Sequence, residues 1–273
     1  MEYGIFTSTI RELPADPRSA CAGDWMDLLP PGELRAIYFG SEFCEDLLPE
    51  AAAAESFCRW AVQEGVEAVL LTPVVTPNGL ARVDRLLRAL EARDLAPAVL
   101  FNDWGVLNLL RRSYPEFSRR AGRLMNRGLR DPRLLANQAD KNNRTLGGGR
   151  LRSLLVQYGV EALETDPDLE GSYLGEKSPG LQRVLHFPYV FAATGRNCLV
   201  KADGSPPEES FTKGLGHPCG GLCRGRSHQF RRVDTGFPLW RGGNTIFYEV
   251  SQAGAKAHLA QVDRIVVYER ASA

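Results

Sequence analysis

Three of the six cysteines lie close together: Cys198, Cys219 and Cys223 form a C-x20-C-x3-C array. The tight pair brings two thiolates to one metal centre, and the long interval lets a third arrive from another side. Glycines 220 and 221 let backbone amides approach bound sulfur, and such hydrogen bonds tune an iron–sulfur cluster. Cys44 follows the apolar run Arg35–Gly40, where a barrel strand would reach its mouth, and is the candidate fourth ligand. Cys58 sits beside Phe57 in a helical stretch and reads as a core residue. Cys21 has no cysteine neighbours. Structural zinc would also take four thiolates, or three with His217, but such sites usually show two short cysteine knuckles and this chain has one. Unconnected core cysteines are the third reading, although a loop rich in Gly and Pro is not a core setting. Spacing alone leaves cluster, zinc and core open.

Other residue types suggest acid–base and binding chemistry. His186 opens a His-Phe-Pro-Tyr run at a strand end, and its ordinary pKa near neutrality suits a general acid or base; a satisfied buried histidine is the competing reading. Asp103 stands where a strand gives way to a helix, so it either caps that helix or addresses substrate or a bound water. Asn108 lies one turn further on as a candidate substrate contact. Arg123, Arg130, Arg133 and Arg196 could grip the carboxylates of an acidic small molecule, with Asn126 beside Arg123 on the same surface. Trp240, in Trp240-Arg241-Gly-Gly-Asn244, could line a pocket by stacking or close the barrel floor. The glycine run at 147–149 lacks the Lys-Ser/Thr of a phosphate loop. No Gly-x-Ser-x-Gly elbow and no His-Glu-x-x-His is present, which disfavours serine and zinc hydrolases.

Alternating strand and helix signals must position these residues. Strands are expected at 35–39, 67–72, 97–101, 160–164, 184–189, 245–250 and 264–268. Helices are expected at 51–64, 79–93, 104–112, 150–158 and 252–261. Leu80, Val83, Leu86, Leu87 and Leu90 recur at helical spacing. Repeated strand–helix units favour a parallel sheet with crossover helices. They run nearly the whole length without a dinucleotide glycine fingerprint, so the expected fold is an α/β barrel of the TIM type, one domain over residues 1–273. Two stretches interrupt the pattern: the polar, glycine-rich Asn137–Gly149, and Lys201–Gly216 between two cysteines. Long excursions at strand ends are where barrels build function.

The 273 residues are 44% hydrophobic and 24% charged, with 33 basic and 33 acidic side chains. That balance excludes a bulk charge directed at nucleic acid, membrane or acidic partners. The N-terminus lacks a basic start with a long apolar run, and no stretch reaches the roughly 18 apolar residues of a membrane span. The expected location is the cytoplasm, where thiols stay reduced and six cysteines point to metal rather than disulfides.

Four segments in order resemble the collagenase-like peptidase family (peptidase family U-32), and within it the small UbiU/UbiV-type proteins. IYFGSEFC (Ile37–Cys44) is similar to the family's tyrosine-x-glycine-glutamate strand end, where UbiV-type members carry a cluster cysteine. NDWGVLN (Asn102–Asn108) is similar to its aspartate-x-glycine turn. HFPYVFAATGRNC (His186–Cys198) resembles the stretch leading into the cluster loop, and Phe237–Val267 the segment that closes the barrel. The resemblance implies a TIM-type barrel with a [4Fe-4S] cluster on Cys44, Cys198, Cys219 and Cys223. It also implies a part in oxygen-independent hydroxylation of a small aromatic or quinone precursor or of an RNA base, as an enzyme or within a heterodimer of related members. A non-catalytic cluster-bearing partner and a peptidase are the alternatives. Three features depart from the pattern: a longer loop between Cys198 and Cys219, VEALETDPD at 160–168, and Glu42 one position late. On a strand, a shift of one exchanges the two faces.

Overall fold

The computed structural model describes residues 1–125, 149–167, 177–196, 198, 200–201 and 219–271. Eight strands close a parallel barrel in the order β1-β12-β7-β6-β5-β4-β3-β2. They are β1 (Glu2–Phe6), β2 (Glu33–Gly40), β3 (Glu67–Leu71), β4 (Ala98–Phe101), β5 (Arg119–Ala121), β6 (Val160–Thr165), β7 (Gln182–Phe187) and β12 (Arg264–Val267). The chain is therefore an α/β barrel of the TIM type. Its helices are α1 (Ala51–Gln63), α2 (Pro77–Glu91), α3 (Trp104–Ser113), α4 (Gly149–Gln157) and α5 (Gln252–Leu259). Among the described residues no helix is long and apolar enough to cross a membrane.

Local chemistry explains where the helices begin. Thr76 caps α2 by accepting from the Gly79 amide at 3.1 Å, with Pro77 in the first turn, a position that loses nothing from proline's missing N–H. Ser251 caps α5 in the same way at 3.1 Å. The apolar stripe of α2 buries Val83, Leu86, Leu87 and Leu90 against outward strand residues such as Leu70, Val99 and Phe101. Each fully buried aliphatic side chain contributes about 1.5–3 kcal/mol.

The alternate residues of the same strands fill the barrel. Ala36, Tyr38, Val69, Leu71, Ala98, Leu100, Ala162, Val184 and Val266 share one interior cluster. The N-terminal end of the barrel is sealed by charge: Glu67 receives Arg120 and Arg264, each at 2.7 Å, and Glu2 receives Arg264 at 2.9 Å. Removing one partner from such a buried set would leave an uncompensated charge.

Between β7 and β12 the chain builds a second, antiparallel sheet in the order β8-β11-β10-β9. Its strands are β8 (Tyr189–Thr194), β9 (His228–Phe230), β10 (Leu239–Gly242) and β11 (Thr245–Glu249). This corrects the expectation for 245–250: the strand exists but pairs with β8 and β10, so only Arg264–Val267 of the segment Phe237–Val267 closes the barrel. Nor does the Trp240–Asn244 turn form a barrel floor. The barrel also takes two strands that periodicity did not suggest, β1 and the three-residue β5.

Candidate metal centre and barrel mouth

The strands' C-terminal ends carry the chemistry. Cys44 lies just beyond β2, its amide bonded to the Ser41 hydroxyl at 3.2 Å, and it opens a short 3-10 turn at Glu45–Leu47. Glu45 fixes this turn to the start of α2 through the Thr76 amide at 2.8 Å, while Arg82 donates to the Glu45 carbonyl at 3.0 Å. The Asp46 amide reaches back to the Cys44 sulfur, a hydrogen bond that favours the thiolate.

Two contacts bring the later cysteines to the same place. Lys201, three residues beyond Cys198, lies 3.6 Å from Asp46. Asn244, at the β10–β11 turn, donates from Nδ2 to the carbonyls of Phe43 and Gly195, both at 2.7 Å. One side chain thereby joins the residue before Cys44 to the strand end before Cys198. Positive φ at Gly220 and Gly221 (63° and 74°) turns the chain tightly between Cys219 and Cys223.

Cys223 lies within electrostatic reach of Cys44, Cys198 and Cys219. Burial pushes the Cys44 thiol up to about 12, and the Cys223 and Cys219 thiols add to the shift. Cys223 is also raised, first by burial and then by Cys198 and Cys219. All six cysteines are free thiols. Burial holds Cys44 and Cys223 as thiols, and a bound cation would supply the counter-charge that favours their thiolates. Among the described residues no three Cys, His, Asp or Glu side chains stand close enough to grip one metal ion.

Beside them, inside the barrel mouth, lies a buried ion network. Arg123, only 1% exposed, follows β5 and meets Glu42 through Nε at 2.8 Å and Asp166 through Nη1 at 2.8 Å. Its amide also donates to Glu42 at 2.8 Å. The guanidinium lies 4.9 Å from the Phe43 ring centroid and 5.6 Å from that of Tyr268. Glu42, two residues beyond the end of β2, is thus buried against Arg123.

Deeper in, His186 is fully buried. Its Nδ1 lies 2.6 Å from the Tyr268 hydroxyl and its Nε2 2.8 Å from Glu164, which also accepts from Tyr38 at 3.3 Å. Burial, with Arg123 nearby, lowers the histidine pKa to about 3, so the ring is neutral at pH 7. Burial raises Glu164 to about 7, against the pull of Arg120 and Arg264.

These positions revise several expectations. Both ring nitrogens of His186 are engaged, so it forms no dyad with Asp103, and it lies within the barrel rather than at an open strand end. Asp103 caps α3 by accepting from the Gly105 amide at 2.6 Å. Arg123 is committed to Glu42 and Asp166 instead of presenting a fork to an external carboxylate. Asn108 is exposed on α3, and Arg196 is exposed two residues before Cys198. Trp240 packs edge-on against Tyr189 with centroids 5.7 Å apart. Asn126, Arg130 and Arg133, most of Asn137–Gly149 and all of Lys201–Gly216 except Lys201 lie outside the described residues. Sequence reasoning did not single out Glu164, Asp166 or Tyr268. The signal was two acids at the end of the apolar run VEALETD, where a strand meets the mouth.

No family model matches the chain, and no curated protein does. Among solved structures, that of the U32 peptidase Mk0906 is similar over 99% of this chain and 93% of its own, at 12% identity and a TM-score of 0.45. That likeness is too distant to carry a function.

Proposed function

We propose that this chain is an iron–sulfur protein of the collagenase-like peptidase family, taking part in an oxygen-independent hydroxylation as the enzyme or as one subunit of a related pair. The observation that supports the reading is that Asn244 ties the residue before Cys44, at the C-terminal end of β2, to the strand end before Cys198, while the Cys219 and Cys223 thiols act electrostatically on Cys44. TIM-type barrels place their chemistry at that end. The ordered motifs at Ile37–Cys44, Asn102–Asn108 and His186–Cys198 support the family assignment. In this reading the four thiolates hold a [4Fe-4S] cluster, which when bound supplies one-electron transfer or an iron Lewis acid.

The chain's own residues would shape the space beneath. Phe43, Phe191 and Tyr268 surround the Arg123 guanidinium and keep water from the mouth. Tyr268, whose burial holds its pKa well above the usual range, stays protonated and donates to His186. The neutral histidine in turn donates through Nε2 to Glu164, a chain that can hold a proton at the Tyr268 oxygen. Arg196, exposed beside Cys198, is the residue placed to meet an acidic substrate. The peptidase alternative needs a water-activating dyad, and the engaged nitrogens of His186 argue against Asp103–His186 as that dyad.

The test is a comparison of quinone precursors and RNA nucleosides from anaerobic cultures of the native host, with the gene intact, deleted, or carrying Cys219→Ala/Cys223→Ala. The reading expects one species heavier by a single oxygen atom to vanish on deletion and to stay absent in the double variant. An unchanged profile in all three would overturn it.

A further inference from the structure

A second cleft, with none of the four candidate ligand cysteines in its lining, lies between the β1–β2 connection and the antiparallel sheet. It encloses about 390 Å³ and is lined chiefly by Asp24, Trp25, Phe237, Pro238, Trp240 and Glu249. Cavities of this size take small ligands or single side chains. Three aromatic side chains and two carboxylates meet there, and among the described residues no Lys, Arg or His lines it.

The architecture of the cleft is fixed from behind. Trp25 packs edge-on against Phe187 with centroids 5.1 Å apart, and its indole Nε1 donates to Glu249 Oε1 at 2.6 Å. Phe237 leans on Tyr248 at 5.7 Å and Trp240 on Tyr189 at 5.7 Å. These contacts hold the rings in place before any ligand arrives, so little ordering remains on binding. Among the described residues Glu249 has no cationic partner. Its charge is felt by its neighbours: after burial, it is the influence that raises the Cys21 thiol to about 12 and the first electrostatic influence raising the Tyr189 hydroxyl to about 12. The start of α5 at Gln252 offers a partial positive charge of about half a unit, and the Ser251 hydroxyl already occupies its Gly254 amide. Two carboxylates outweigh that half charge.

We propose that this cleft binds an organic cation, an alkylammonium group seated among Trp25, Phe237 and Trp240 with Asp24 and Glu249 as counter-charges. Aromatic rings attract such a cation through their quadrupole, most strongly at indole. The lack of a base among the described lining residues disfavours anions, and the two acids at the cleft disfavour a purely apolar guest. The group can come from a free small molecule or from a lysine side chain of a peptide, which share this chemistry. The cleft contains none of the four candidate cysteine ligands, so the inference stands whether or not those thiols carry a metal.

The experiment is a titration of the full chain, as purified, followed by the indole N–H resonances of Trp25 and Trp240. The probes are choline, its neutral isostere 3,3-dimethylbutanol, and an acetylated, amidated tripeptide with a central lysine. Choline should give a saturable shift at both indoles, with the neutral isostere about tenfold weaker. Saturation by the lysine peptide but not by choline also supports the site and assigns the cation to a side chain. Trp240→Ala should weaken binding about tenfold. Glu249→Gln, which keeps the shape of the cleft, should weaken choline and leave the neutral isostere unchanged. Equal shifts from choline and its isostere, or no saturable shift from either cationic probe, would overturn the proposal.

Discussion

The side-chain amide of Asn244 donates to the carbonyl of Phe43 at 2.7 Å, across 201 positions of sequence. Its second bond, to Gly195, makes it a clamp between the segments that carry Cys44 and Cys198. The antiparallel sheet therefore ties the backbone before Cys44 to that before Cys198, through the β10–β11 turn.

Replacing this clamp should loosen both cysteine segments together. Asn244→Ala removes these two hydrogen bonds, of about 0.5–1.5 kcal/mol each, and a third that Oδ1 accepts from the Thr245 hydroxyl, so urea denaturation should show a loss of at least about 1–3 kcal/mol. Asn244→Asp should be worse, because a carboxylate would face two carbonyl oxygens without a proton to give.

The Arg123 network predicts a larger effect. Arg123→Met leaves Glu42 and Asp166 buried without their partner, and breaking such a set costs about 3–5 kcal/mol. Arg123→Lys should recover only part of that, since a point charge cannot reproduce the fork that reaches both carboxylates. Equilibrium unfolding of the two variants beside wild type measures the difference.

His186 gives the stability a pH signature. Its folded pKa of about 3 lies below the ordinary 6.5, so below pH 6.5 the unfolded chain binds a proton that the native chain refuses. The histidine therefore costs stability as pH falls from 6.5 towards 3, by up to about 1.4 kcal/mol per pH unit. Glu164, raised to about 7 from 4.5, has the opposite slope between 4.5 and 7, because the native state keeps its proton longer. Comparison with His186→Gln isolates the histidine: the stability of wild type relative to the variant should fall on acidification from pH 6.5 to 5. A constant difference would show the histidine titrating alike in both states.

Asp103 separates capping from chemistry. Asp103→Ala should lower stability by about 1 kcal/mol, whereas Asp103→Asn should keep most of it, since both side chains accept from the helix amides. A helix cap predicts that anaerobic product formation stays near wild type in Asp103→Asn. Loss of product with unchanged stability would return the residue to the reaction.

Much of this was legible in the sequence because the governing signals are local. The Leu80–Leu90 stripe and the apolar runs of β2, β3, β4 and β6 state their own periodicity. The strand β1 was obscured by Gly4, which the barrel needs because an added Cβ would strike the Tyr38 ring. The strand β5 was obscured by Arg119 and Arg120, whose charges suggest a surface until Glu67 is seen opposite Arg120. The strand at 245–249 was readable, but its sheet was not, because partner choice is set by tertiary contact rather than by period. Glu42 could not be placed by strand parity, because the turn at Gly40, whose φ is +101°, ends β2 before it. The proposed grouping of the four cysteines came from the order of motifs, whereas Asn244, which ties the Cys44 and Cys198 segments together, leaves no periodic trace.

Iron, acid-labile sulfide and zinc should be measured on protein purified without oxygen, beside Cys219→Ala/Cys223→Ala, with a visible spectrum of each. The account predicts about four irons and four sulfides per chain, with both lost in the double variant. One zinc without sulfide, or iron that survives loss of the two cysteines, would contradict it.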